Sequence, residues 1–294
     1  MKLYGVIPPM VTPFTRAGDV DVEGLETLVD HLSTRVDGLF VCGSYGSGPL
    51  MSPDERMLVA ERCMAAAKGR VPIVVHSGAA ATRDAARLSA HAAEIGAAAA
   101  SAVAPYYFHH NAAAVYEYYE KILAAVPRGF PVYVYHNPRF SGYEIEFKTI
   151  EALQSLGLAG IKDATFDIGK FATYMRELAP KGMDVVLGTE SMWLSARALG
   201  AQAYIPGLAS AYPELCVRMH RQGMENDFEA CRETQFLVNK VRDIMYLAGS
   251  TQQAVYTMLK LRGIVHAYPR SPFVPSDKAQ EDKIRGALAG LGLL

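Results

Sequence analysis

The sequence predicts a (β/α)8 (TIM) barrel with additional C-terminal helices, on three observations. Eight short apolar or β-branched runs alternate with longer amphipathic stretches. Successive runs are spaced roughly 20–35 residues apart, the size of one βα unit. Polar residues and glycines gather directly after the runs, where a parallel barrel builds its site, and the helical stretches between read as scaffolding.

The runs are residues 4–7, 38–42, 72–76, 98–104, 132–136, 159–162, 185–188 and 203–205. They are continuously apolar, as expected of strands buried on both faces. Asp21 opens the first helix, Ser52-Pro53 the second, Thr82 the third and Asn111 the fourth, each a residue suited to a helix start. The stretch 96–104 is rich in alanine, which favours helix, so its strand assignment rests on its place in the alternation. From residue 212 onward the pattern is helical, with segments 225–247, 251–261 and 277–291, and Pro269, Pro272 and Pro275 interrupt it before the last. This divides the chain into a barrel, 1–210, and a helical extension packed on it, 211–294, with no linker that would define a separate domain. An open doubly wound sheet would need G-x-G-x-x-G after the first run, and that motif is absent there.

The 294 residues are half hydrophobic and one-fifth charged (50% and 20%), enough to bury a large core and of a length that fits one α/β barrel or two small domains. A formal net charge of −1 without blocks of like charge argues against nucleic acid or a membrane surface as partner. No apolar run reaches the ~18 residues of a membrane span, and the opening one stops at Pro8-Pro9, too early for a secretory leader. Cys42, Cys63, Cys216 and Cys231 have no C-x-x-C spacing. They read as buried, reduced thiols, which together with the missing leader places the protein in the cytoplasm.

The strand ends hold Gly43 to Gly48, His76-Ser77, Tyr106-Tyr107, Tyr135-His136-Asn137, Lys162-Asp163, Gly188-Thr189-Glu190 and Pro206-Gly207. Lys162 is the sharpest signal. A lysine on a buried strand has its charged form disfavoured, and the neutral amine is a nucleophile toward a carbonyl. A shift to pKa ~7–8 corresponds to roughly 4 kcal/mol. Position alone also allows a surface lysine paired with Asp163. Tyr135 can act as an acid/base beside such an amine, or simply line the barrel. Ser44 and Tyr45 lie among three glycines, in a loop whose N–H groups can converge on a carboxylate or form a plain turn.

Together these residues resemble the dihydrodipicolinate synthase/N-acetylneuraminate lyase superfamily. Gly160-Ile161-Lys162-Asp163-Ala164-Thr165 is similar to its Schiff-base lysine motif, Tyr135-His136-Asn137-Pro138 to its tyrosine motif, and Gly43-Ser44-Tyr45-Gly46 to its pyruvate-carboxylate loop. Pro105-Tyr106-Tyr107 resembles the segment whose second tyrosine crosses to a neighbouring subunit, and residues 5–14 resemble the family's opening. The order and spacing agree from about residue 5 to residue 215. The resemblance implies a class I pyruvate-dependent aldolase or lyase in which Lys162, Tyr135, Ser44 and Tyr107 are catalytic. It also implies chemistry without a cofactor or metal, and assembly as a homotetramer. Ser44, Tyr45, Gly46, Ser47, His136, Arg139, Glu190 and Gly207 would bind pyruvate, or another 2-oxo acid, and an aldehyde.

This chain departs from the family where Tyr45-Gly46-Ser47 replaces Thr-Gly-Glu, and where Ser191 follows Glu190 in place of the second acidic residue that reads the sugar of sialic acid. Phe140 stands where dihydrodipicolinate synthase carries the arginine for its second substrate's carboxylate, with Arg139 one place early. A one-residue shift changes that arginine's direction unless the loop rearranges. These departures favour a shorter substrate, such as a 2-keto-3-deoxy sugar acid or one with a less polar tail, over dihydrodipicolinate synthase activity. Two rivals remain. A metal-dependent barrel aldolase would gather His76, His136 and Glu190 on an ion and be sensitive to chelators. A non-catalytic 2-oxo acid binding protein would bind pyruvate without exchanging its methyl protons.

Overall fold

The computed structural model describes residues 2–294. Eight parallel strands follow the predicted order: β1 Gly5–Val6, β2 Leu39–Val41, β3 Ile73–His76, β4 Ala99–Val103, β5 Val132–His136, β6 Gly160–Asp163, β7 Asp184–Leu187 and β8 Ala203–Tyr204. Each pairs with its sequence neighbour from β2 to β8, and β1 pairs with β8. The remaining gap closes where Met10 N–H donates to Phe40 C=O at 3.0 Å and Phe40 N–H donates to Pro8 C=O at 3.0 Å. The sheet is therefore a closed barrel whose strands have no free edge.

Helices α1 Val22–Ser33, α2 Pro53–Ala67, α3 Thr82–Glu94, α4 Ala112–Ala124, α5 Pro138–Ser141, α6 Phe147–Leu156, α7 Ile168–Glu177 and α8 Trp193–Ala198 lie between the strands. Four more follow the last strand: α9 Pro213–Met224, α10 Phe228–Met245, α11 Thr251–Leu261 and α12 Lys278–Gly290. Asp21, Ser52 and Asn111 cap their helices through side-chain oxygens, and Ser52 and Glu55 complete a reciprocal capping box. Thr82 is the first helical residue and Ala81 the cap, so α3 starts without a side-chain bond. The alanine-rich stretch is strand β4, buried throughout. Its place between β3 and β5 overrides the helical propensity of alanine.

Two apolar cores follow from the period of the strands. Outward-facing residues pack under the helices in one cluster that also takes in Val238, Val241, Val255 and Ile284 of the C-terminal helices. The Tyr256 hydroxyl donates to Thr12 C=O at 2.7 Å, which ties α11 to the first strand's loop. Inward-facing Ile7, Phe40, Val74, Ala99, Tyr133, Val186 and Ala203 fill the barrel. Gly160 makes that filling possible, because a Cβ there would sit 2.3 Å from the Tyr133 ring. Among the described residues no helix is long and apolar enough to cross a membrane. All four cysteines are free and buried.

Candidate active site

Alternation along β6 turns Gly160 and Lys162 into the barrel and Ile161 and Asp163 away from it. Lys162 therefore rests on top of the apolar filling, 4% exposed. Its Nζ lies 4.0 Å from the centre of the Phe40 ring and 3.9 Å from that of Tyr135. No carboxylate compensates it, and burial lowers its pKa to about 7. Asp163, the alternative partner, faces outward, accepts from Thr165 N–H at 3.0 Å and is itself pushed up to about 6 by burial.

Tyr135 sits beside Lys162 in register on β5. Its hydroxyl accepts from Asn137 Nδ2 at 3.0 Å. Burial raises the phenol's pKa, while hydrogen bonding to Ser44 and Asn137 opposes that rise. Ser44 belongs to a loop after β2 that doubles back, with positive φ at Cys42 (59°) and Ser47 (55°). Gly48 closes it where a Cβ would lie 2.0 Å from the Cys42 oxygen, and Thr12 Oγ1 donates to Gly46 C=O at 2.7 Å. Among the described residues, no acceptor within the chain takes the N–H of Ser44 or Tyr45.

These groups open into a cavity of about 310 Å³ lined by Ser44, Tyr45, Tyr135, Asn137, Arg139, Phe140, Lys162, Phe166, Glu190, Gly207 and Arg242, among others. The Tyr45 ring packs against Gly207, where an added Cβ would come within 2.2 Å of the ring carbon bearing the hydroxyl. Burial and the neighbouring Glu190 raise the Tyr45 phenol's pKa, and Thr251 hydrogen-bonds it. Glu190 is fully engaged. One carboxylate oxygen accepts from Arg242 Nη1 at 2.6 Å and the other from Gly207 N–H at 3.0 Å. The carboxylate thus closes the wall between β7, β8 and α10.

The other expected binding residues fall in different places. The His136 ring bonds Tyr174 at 3.0 Å and Ile145 N–H at 3.2 Å, and burial lowers its pKa to about 4. It points outward because its neighbour Tyr135 points in, so it does not line the cavity. Gly46 shapes the loop by its carbonyl. Ser47 borders an adjoining, mostly apolar cavity of about 270 Å³ with Ser44, His76 and Tyr106. Tyr107 is 86% exposed, held at φ 82° against Phe108, and outside the cavity of its own chain.

Arg139 lines the cavity together with Phe140 despite the one-residue shift. The reason is local: α5 is a single helical turn capped by Asn137 and ended by Gly142 at φ 83°, so neighbouring side chains fan around the rim. The guanidinium lies 4.6 Å over the Phe166 ring. Phe166 has φ 61°. That left-handed conformation costs a side chain about 1–2 kcal/mol. Arg242 flanks the same ring at 5.4 Å.

Sequence reasoning missed Asn137, Phe166, Arg242 and Thr251. Asn137 was visible in the tyrosine motif. Arg242 carries no local signal, being 52 residues from its partner Glu190. His76, proposed as a metal ligand, bonds the Arg56 guanidinium at 3.3 Å and Val103 N–H at 3.3 Å. Among the described residues, no group of three or more His, Cys, Asp or Glu side chains is arranged to hold an ion.

The sequence profile described as the Dihydrodipicolinate synthetase family matches residues 2–290. An uncharacterized DapA-like lyase of Halobacterium salinarum is 33% identical, over 100% of this chain and 96% of its own length. A protein named a probable 2-dehydro-3-deoxy-D-pentonate aldolase of Escherichia coli K12 is 28% identical, over 100% of this chain and 99% of its own length. The crystal structure of a dihydrodipicolinate synthase from Acinetobacter baumannii complexed with pyruvate superposes with a TM-score of 0.90 at 27% identity, covering 99% of each chain. The chain belongs to the dihydrodipicolinate synthetase family, a family of Schiff-base lyases and aldolases.

Proposed function

We propose that Lys162 forms an imine with C2 of pyruvate or a pyruvate-derived 2-oxo acid, and that the enzyme cleaves or forms the bond between C3 and C4 of a 2-keto-3-deoxy sugar acid. The observation that carries this reading is Lys162 itself, an unpaired amine at the floor of the cavity with its pKa lowered to about 7. Half-neutral near physiological pH, it attacks the ketone carbon to give a carbinolamine. Tyr135 supplies a proton to the departing hydroxyl, which leaves as water. Tyr135, left as the phenolate, then takes the proton of the C4 hydroxyl as the C3–C4 bond breaks; the electron pair passes into the imine to give an enamine, the aldehyde departs, and protonation at C3 followed by hydrolysis releases pyruvate and the free amine. The N–H groups of Ser44 and Tyr45, which find no acceptor among the described residues, support a role for this loop in receiving the pyruvate carboxylate.

Ser44 passes the Tyr135 proton on, and Tyr107 completes the relay from a neighbouring copy in a homotetramer. The cytoplasm is the proposed compartment. Tyr45 and Gly207 define how far the acceptor extends. Arg139 favours, within this reading, acceptors that carry their own acidic group, which keeps dihydrodipicolinate synthase activity as a second reading. The test is a screen in which 2-keto-3-deoxy sugar acids of increasing length are offered and pyruvate release is measured, with and without a chelator. Release that survives chelation supports the proposal. No release from any member, or activity restored only by a divalent ion, overturns it.

A further inference from the structure

The cavity's far wall contains two guanidiniums around one strained aromatic ring. Phe166 is half-buried, follows the Lys162 strand by three residues and occupies φ 61°, where glycine would be unstrained. The turn is pinned on both sides. Asp163 Oδ1 accepts from Thr165 N–H at 3.0 Å, Thr165 Oγ1 accepts from Asp167 N–H at 3.3 Å, and Asp167 Oδ1 caps α7 by accepting from Gly169 N–H at 2.9 Å. A side chain kept in such a conformation at a cavity wall is a mark of function. Its ring lies 4.6 Å below the Arg139 guanidinium and 5.4 Å from that of Arg242. The two arginines differ. Arg242 is neutralised by Glu190 at 2.6 Å, whereas Arg139 bonds only through its main-chain N–H. Among the described residues Arg139 is thus the guanidinium of the cavity without a carboxylate partner, and its own single-turn helix brings it to the rim while leaving the side chain exposed.

We infer that Phe166 is a specificity-determining residue: its ring is the platform that holds Arg139 over the cavity, so that the site selects acceptors bearing an anionic group at the end remote from the aldehyde. This rests on the aldolase reading above. The planar guanidinium stacks on the ring and leaves its N–H edge free for a carboxylate or a phosphate. The strain at Phe166 is then the cost of placing an aromatic ring where a glycine would leave Arg139 to wander into solvent.

The experiment compares three acceptors with saturating pyruvate: succinic semialdehyde, glyceraldehyde 3-phosphate and uncharged butyraldehyde. KM and kcat are measured for wild type, Phe166→Gly, Phe166→Leu and Phe166→Tyr. Each preference is a KM ratio within one variant, so a general loss of activity cancels. Wild type is expected to prefer an anionic acceptor through KM, with the two anionic arms telling carboxylate from phosphate. Phe166→Leu and Phe166→Gly should each lose about fivefold of that preference, the equivalent of ~1 kcal/mol for a cation–π contact, and Phe166→Tyr should restore it. Phe166→Gly should melt higher than wild type because its backbone is relaxed, so misfolding does not decide the result. In an Arg139→Ala background, Phe166→Leu should change the ratio no further. An unchanged ratio in Phe166→Leu, or no anion preference in wild type, overturns the inference. Failure of the aldolase reading is seen separately, as no borohydride trapping of pyruvate on the wild-type enzyme. In that event calorimetric titration of butyrate into wild type and Phe166→Leu decides the matter, equal affinities counting against the platform.

Discussion

The chemistry of Lys162 comes from what surrounds it. Two aromatic rings and an apolar plug replace water, and no carboxylate compensates. A consequence for stability follows from the sign of the shift. Between about pH 7 and the ordinary lysine value of 10.5, the unfolded chain holds a proton on this residue that the folded chain lacks. Wild-type stability therefore rises with pH across that window through this group. Lys162→Met keeps the aliphatic stem and removes the ionisation. It should abolish turnover and raise the melting temperature at pH 7, the penalty relieved being roughly 4 kcal/mol at most. The gain should shrink as pH approaches 10. Calorimetric melting of the two proteins at several pH values checks this, and a variant less stable than wild type at pH 7 would contradict it. The buried strand-end position of Lys162 was legible because strand alternation and the following Asp-Ala-Thr give it a context. Phe166 was not, because a left-handed φ leaves no trace in a phenylalanine.

Among the elements, β5 and α11 have the bounds that periodicity predicts, 132–136 and 251–261, since both are strongly patterned and sharply bounded. The short strands β1 and β8 shrink to two residues, paired Gly5 with Ala203 and Val6 with Tyr204. The contribution of α10 and of the segment before α11 to the cavity could not be read from the chain. It depends on a buried Glu190–Arg242 pair that only the folded path brings together. The loop between β4 and α4 carries its own expectation. Tyr107 and Phe108 stand 86% and 66% exposed on a strained turn, an aromatic pair with no cover in a single chain. Such a patch fits an interface between copies. Sedimentation at micromolar concentration should show an oligomer. Tyr107→Ala should lower kcat by about 100- to 10,000-fold, the scale of a proton-transfer contribution. A monomer of full activity would remove Tyr107 from the relay.

Across the whole molecule, the barrel, its filling and the helices serve one placement. The filling ends at Phe40 and Tyr133, and the next inward position on β6 is the amine. The C-terminal helices close the opposite wall through Arg242 and Thr251. The central claim is that this amine is the covalent nucleophile. Borohydride reduction of the enzyme in the presence of pyruvate, followed by peptide mass spectrometry, tests it most directly. A reduced pyruvyl adduct is expected on the peptide containing Lys162, with none formed in Lys162→Ala. An adduct on another lysine, or trapping of undiminished yield in Lys162→Ala, would contradict it.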